Sequence, residues 1–255
     1  SYLSSYEMSW KGFMTTISQG TLADAEAALS SALAEGAVIT TPVVLGAYTA
    51  DTYWPALHAK AAGTPLARPD VVVRPRTEED VATVLAIAQE LRVPVVPWGG
   101  GSGTQGGALA VNGGIVIDLR SLDEVIEIDE TSMTVTAQAG KNGRELEAQL
   151  NTRGLMLPHY PASVEWATVG GYIAARGSGV LSTRYGKIED LVLSLRVATP
   201  AGGLMESIEV PRHAMGPELT QLFVGSEGTL GVITRATLQL VPLPAARRFA
   251  AVAFP

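Results

Sequence analysis

Between Val96 and Gly107 the chain reads Val-Pro-Trp-Gly-Gly-Gly-Ser-Gly-Thr-Gln-Gly-Gly, an apolar run that enters a glycine-dense turn. Without Cβ atoms such a turn can point successive N–H groups at the oxygens of a diphosphate, and the hydroxyls of Ser102 and Thr104 add further donors. Gly101 to Gly106 also satisfies G-x-G-x-x-G, the spacing of a Rossmann dinucleotide turn. An ordinary turn after a strand has the same composition, so the segment alone leaves both readings open.

Other chemistry-bearing residues are sparse. The chain has three histidines, His58, His159 and His213, and no cysteine. Disulfides and thiolate metal sites within this chain are therefore excluded. No H-x-H, H-E-x-x-H or clustered acidic spacing supports a metal. A lone histidine is more often packed or solvated than catalytic. His159 stands apart because it lies in Pro158-His159-Tyr160-Pro161-Ala162-Ser163. Tyr185, in Arg184-Tyr185-Gly186-Lys187, belongs either to an ordinary turn or to a pocket wall. The catalytic group is not identified by the sequence, and these two residues are the candidates it offers.

The elements that must hold these residues follow from periodicity. Leu22, Ala25, Leu29 and Leu33 mark an amphipathic helix over 22–35, followed by a Gly- and Pro-punctuated lead-in to Pro69. Val71–Val73 is a short strand. Thr77 with Asp80 three residues on makes a capping-box start for a helix carried by Val81, Val84, Leu85, Ala88 and Leu91. A strand over Val93–Trp98 completes a βαβ unit and enters the glycine turn. The Rossmann helix is then missing, because Gly113-Gly114 interrupts the chain and Ile115–Leu119 is another strand. Strands at Val125–Ile128 and Met133–Ala137 follow. A helix over Asn142–Leu150, with Glu145 and Glu147 outward, ends at Gly154. The second half reads as a small-residue helix around Thr168–Ala175, strands at Leu191–Thr199 and Gly231–Val241, and a helix at Glu218–Phe223. Without strict βα alternation, the expected class is α+β.

Composition sets outer limits. The 255 residues allow one large domain or two lobes, and the hydrophobic fraction of 47% is that of a packed globular chain. With 18 basic against 25 acidic residues and no block of like charge, a nucleic-acid or anionic-membrane surface is not expected. Residues 1–20 do not read as a signal peptide, no segment is long and apolar enough for a transmembrane helix, and a cytoplasmic location is the default. The first residue is Ser1 and not Met, which points to a processed or truncated chain.

Four segments together resemble the PCMH-type FAD-binding domain of the vanillyl-alcohol oxidase family, the FAD-linked oxidases that include glycolate oxidase, D-lactate dehydrogenase and alkyldihydroxyacetonephosphate synthase. They are P-W-G-G-G-S-G-T (97–104), P-A-S-V-E-W-A-T-V-G-G (161–171), A-R-G-S-G with Y-G-K-I-E-D-L-V (175–192), and G-S-E-G-T-L-G-V-I-T (225–234). The resemblance covers the chain from about Pro69. It implies two α/β subdomains with FAD between them, a lead-in over 1–68 packed on a flavin domain over 69–255, and a cap domain that would begin where the chain stops.

From the first segment, the resemblance implies FAD contacts by Pro97, Trp98, Gly99, Gly100, Gly101, Ser102, Gly103 and Thr104. From the second it implies Ala162, Ser163, Thr168, Gly170 and Gly171, with the helix start at Thr168 aiming its positive end at the cofactor. From the third come Arg176 and Ser178, and from the fourth Glu227, Gly228, Gly231, Val232 and Ile233, a β-like stretch lying against the flavin. A branched side chain at Gly101 should block the phosphates. Some relatives tether FAD through a histidine in the glycine loop; none stands between Pro97 and Gly107, so a non-covalent flavin is expected.

The implied reaction is oxidation of the CH–OH group of a small 2-hydroxy acid. The alternatives are a flavin-dependent transferase of the alkyldihydroxyacetonephosphate synthase type and a flavin-binding module without turnover. Val164-Glu165-Trp166, the Y-G-K-I-E-D-L-V stretch and P-R-H-A-M-G-P (211–217) resemble the synthase's versions of these segments. The base and carboxylate clamp are expected outside this chain. Partners reduce to a small-molecule substrate, with a homodimer left open.

Overall fold

The computed structural model describes residues 17–254 apart from 202, 212 and 249. The first sixteen residues of the lead-in, and Arg212 in the 211–217 segment, therefore lie outside the described residues.

The first layer grows from the lead-in. Helix α1, Gln19–Ala32, starts at Ser18, whose side chain accepts from Thr21 N, and buries Ala25 and Leu29. Strand β1, Val38–Ile39, follows, then helix α2, Trp54–Ala61. Strand β2, Val71–Val73, is fully buried. Helix α3, Glu78–Leu91, has the expected capping box, with Thr77 accepting from Asp80 N and the Asp80 carboxylate returning to Thr77 N. Strands β3, Val95–Trp98, and β4, Ile115–Asp118, complete a sheet of order β1-β2-β4-β3. Strands β2 and β3 both run parallel to β4, and β1 is antiparallel on the edge. The strand at Ile115, where a Rossmann turn would require a helix, is confirmed. The lead-in, whose form the sequence does not specify, thus supplies a strand of this sheet as well as helices packed on it.

The second layer is antiparallel. Strands β5, Val125–Asp129, and β6, Thr134–Gln138, lead to helix α4, Gly143–Asn151, capped by Asn142. Strand β7, Leu155–Met156, and helix α5, Val169–Ala174, come next. Strands β8, Val192–Thr199, and β9, Gly203–Glu206, helix α6, Leu219–Phe223, strand β10, Val232–Gln239, and strand β11, Val241–Pro242, complete the set. The large sheet has the order β5-β6-β10-β8-β9, and β7 pairs with β11 apart from it. The apolar faces of α4, α5 and α6 enclose one core with β6, β8 and β10. Glu147 departs from the outward position expected of it: its carboxylate turns in to accept from Leu157 N at 3.0 Å, and burial raises its pKa.

A buried carboxylate ties the layers together. Glu78, at the first turn of α3, accepts from Thr234 Oγ1 at 3.3 Å and lies 3.1 Å from Arg196 Nη1 and 3.7 Å from Arg235 Nε. All three partners come from β8 and β10 of the second sheet. Ala198 and Val232 from those strands also join the core beneath α3. The cleft between the two layers is therefore bounded by rigid elements.

Candidate functional site

The cleft holds a cavity of about 520 Å³. Its lining brings together the glycine loop after β3, Ala162 and Ser163, the start of α5 with Thr168, Gly170 and Gly171, then Ser178, and finally Glu227, Gly228, Gly231, Val232 and Ile233. Segments separated by more than a hundred residues converge on one space. No lysine or arginine lines it; the titratable side chains there are Glu227, His159 and Tyr172.

Three expected residues stand elsewhere. Trp98 is buried behind the loop, packed edge-on against Tyr48 with ring centroids 5.1 Å apart. Arg176 turns away from the cavity: Nη2 donates to Val224 O at 3.2 Å and Nη1 lies 3.9 Å from Glu189. Its backbone is left-handed, φ 49°, which aims the side chain under the Gly225 turn. Tyr185 closes a short helix over Ser182–Tyr185 and stacks under the Arg184 guanidinium at 5.1 Å, outside the lining. Of the two catalytic candidates only His159 reaches the cavity.

The loop's glycines serve packing more than expected. A Cβ on Gly100 would collide with the carbonyl of Trp166, and one on Gly101, φ 62°, would run into the Trp98 ring. Substitution at Gly101 would thus strike the protein's own indole, whereas the sequence had suggested a block in the phosphates' path. None of the backbone N–H groups from Gly100 to Thr104 donates to another group among the described residues. They form an array of unpaired donors at the edge of a cavity, which in a folded chain calls for a ligand or water.

The start of α5 is the opposite case. Val169 N donates to Lys141 O, Gly170 N to Ala139 O, and Gly171 N to the Thr168 hydroxyl. The helix end lies at the cavity, but its first N–H groups are already satisfied by the protein, contrary to the expectation of a donor end aimed at a cofactor. The stretch Glu227–Leu230 is likewise a turn rather than a strand. Thr229 N bonds back to Ser226 O, and the chain becomes extended only from Val232.

Side-chain chemistry concentrates at His159 and Tyr172. His159 is buried, with 3% exposure, and neither ring nitrogen has a hydrogen-bond partner. Burial pushes its pKa down to about 4, so the imidazole is neutral near pH 7. Its ring meets that of Tyr172 edge-on, centroids 4.6 Å apart. The Tyr172 hydroxyl is also unpartnered, and burial, reinforced by the charges of Glu147 and Tyr160, raises its pKa. The sequence flagged His159 by its neighbours. Tyr172 was missed because an aromatic residue inside a small apolar helix reads as core.

A cavity of about 520 Å³ whose lining holds no cationic side chain, a run of bare amide donors and an orphaned imidazole fits a ligand with a diphosphate and a polar ring system. Comparison with known proteins agrees. Residues 69–207 match the family model described as "FAD binding domain". The chain is 37% identical over 191 residues to alkyldihydroxyacetonephosphate synthase of Caenorhabditis elegans, covering 73% of this chain and 32% of that one. It is 35% identical over 181 residues to glycolate oxidase subunit GlcD of Bacillus subtilis, covering 71% and 38%. Against the mitochondrial D-lactate dehydrogenase [cytochrome] of Arabidopsis thaliana it is 42% identical over 177 residues, covering 69% and 31%.

Among solved structures, an alkyldihydroxyacetonephosphate synthase superposes with TM-score 0.81 at 32% identity, covering 88% of this chain and 41% of the other. p-Cresol methylhydroxylase, at TM-score 0.75, 21% identity and coverages of 90% and 45%, shares the fold. The protein belongs to the FAD binding domain family, with the α+β architecture of two subdomains of the PCMH type, and its cofactor is FAD. The chain spans about a third of the length of the curated relatives it matches.

Proposed function

We propose that the protein is the flavin-holding part of a FAD-dependent oxidoreductase that oxidises the CH–OH group of a small 2-hydroxy acid of the glycolate or D-lactate kind. FAD, when bound, supplies a two-electron acceptor at flavin N5. Residues of this chain would hold and shield it: the Gly100–Thr104 donors at the diphosphate, and the faces of α5 and Gly228–Ile233 along its length. With no histidine in the glycine loop, the flavin would be held without a covalent bond. Oxidation of an alcohol also releases the hydroxyl proton, and an acceptor must be unprotonated at working pH. His159 meets that condition, being the one group of the cavity wall whose free ring nitrogens are held neutral by burial. This observation carries the reading. The carboxylate of a hydroxy acid finds no lysine or arginine in this lining, so its clamp would come from outside the cavity.

The likeness to alkyldihydroxyacetonephosphate synthase, in sequence and in fold, supports a second reading, a flavin-dependent transferase. Anaerobic addition of glycolate, D-lactate or D-2-hydroxyglutarate to the full-length polypeptide separates the two. Bleaching of the flavin absorbance is expected for the oxidoreductase. Exchange of an acyl for an alkyl group without net bleaching would replace it with the transferase. A yellow protein inert to both would leave a flavin-binding module.

A further inference from the structure

The lead-in meets the glycine loop around Thr52. Thr52 Oγ1 lies 2.8 Å from the carbonyl oxygens of both Ser102 and Gly103, and Thr52 N donates to Gly103 O at 3.1 Å. Asp51 on one side accepts from Tyr53 N at 2.9 Å, which fixes the turn. Tyr53 on the other packs its ring beside Gly106. None of these three residues lines the cavity.

The peptide unit converts this clamp into an orientation. In a trans peptide the C=O of one residue and the N–H of the next point in opposite directions. The only cis peptide among the described residues is Gly216–Pro217. Fixing the Ser102 and Gly103 carbonyls on the lead-in side therefore turns the N–H groups of Gly103 and Thr104 the other way, toward the cavity that both residues line. Those two N–H groups belong to the unpaired set.

We infer that Thr52 is a positioning residue for the FAD diphosphate: by tethering the Ser102 and Gly103 carbonyls it aims the Gly103 and Thr104 N–H groups at the phosphate oxygens. Without the tether each peptide plane can rotate, and a donor must be re-ordered when the ligand binds. The inference rests on the placement of the diphosphate at the glycine loop, and the test separates the two claims.

Thr52 is exposed, so Thr52→Val removes the hydroxyl while leaving the core and the β-branched shape in place. Flavin affinity is measured on the full chain after removal of FAD, with riboflavin, which has no diphosphate, as the control. The expected result is an FAD Kd raised roughly five- to tenfold, the size of one lost hydrogen bond, with riboflavin binding as in the parent. The 31P resonances of bound FAD should move, and Thr52→Ser should restore both affinity and resonances. Equal losses for FAD and riboflavin, or failure of Thr52→Ser to rescue, would make Thr52 merely structural and overturn the inference. So would unchanged FAD affinity in Thr52→Val while Gly100→Ala weakens it. If Gly100→Ala also leaves FAD affinity intact, it is the placement of the diphosphate that falls, and the inference with it.

Discussion

The glycine-loop wall of the cavity and the His159–Tyr172 wall use opposite kinds of group. From Gly100 to Thr104 the chain offers backbone donors, carries no titratable side chain, and is held from behind by Thr52, Trp98 and the Trp166 carbonyl. At the other wall the backbone is spent: the N–H groups of Val169, Gly170 and Gly171 are paired internally, and the unsatisfied atoms are the His159 nitrogens and the Tyr172 hydroxyl. A backbone wall is insensitive to pH and specific for shape, since its donors have no protonation state to lose. A side-chain wall is where proton chemistry and acid sensitivity must reside. The two should fail differently when perturbed.

The largest effect is expected at the backbone wall. Gly100→Ala forces a methyl against the Trp166 carbonyl, a backbone atom that cannot swing aside like a flexible side chain. Overpacking of a rigid site costs up to about 3 kcal/mol, and here the loop must lift off segment 163–167. FAD affinity should fall on the order of a hundredfold by the usual conversion, measured by flavin fluorescence, at every pH. Parent-like affinity would remove the diphosphate from this loop.

The other wall should respond to acid. The folded-state pKa of His159 lies at about 4, below its ordinary value of 6.5. As pH falls below 6.5 the unfolded chain takes up a proton that the native state refuses, so stability present above 6.5 is lost progressively until pH 4. Between pH 7 and pH 5 the loss from this residue alone is about 2 kcal/mol. His159→Phe should remove that part of the acid sensitivity, read from urea midpoints at the two pH values. An identical pH slope in parent and variant would place the acid sensitivity on groups other than His159; Glu147 is not one of them, because its raised pKa favours the native state as pH falls.

Much of this contrast was legible in the sequence, and the remainder has a common physical cause. Thr77 with Asp80, the strand at Ile115 and the small-residue helix at Thr168 follow from local spacing, and the structure forms them there. Membership of one cavity by four distant segments followed from their resemblance to a family. Hydrogen-bond partners did not follow, because they depend on which atoms meet across the fold. Thr52 reaches its carbonyls across fifty residues of sequence with no pattern to announce it. Arg176 has the charge for a phosphate, but a left-handed backbone sends it to Val224. The start of α5 has the right residues for an anion site, yet the carbonyls of Ala139 and Lys141 reach its donors first.

The smallest expected effect lies inside the same glycine loop and gives the sharpest test of how that loop works. Gly103 has a negative φ, and a Cβ there would meet only Asp51 Oδ2, at 3.8 Å, an ordinary van der Waals distance. Alanine keeps the N–H group that the Thr52 clamp turns toward the cavity. Gly103→Ala should therefore change FAD affinity by less than about threefold, the scale of a few tenths of a kcal/mol, even though Gly103 stands three positions from Gly100. The loop would then need glycine where another backbone presses on it and only an N–H group where the ligand does. If Gly103→Ala instead matched Gly100→Ala, the phosphate itself would have to occupy the Cβ position, and close approach by the ligand would be what selects glycine throughout the loop.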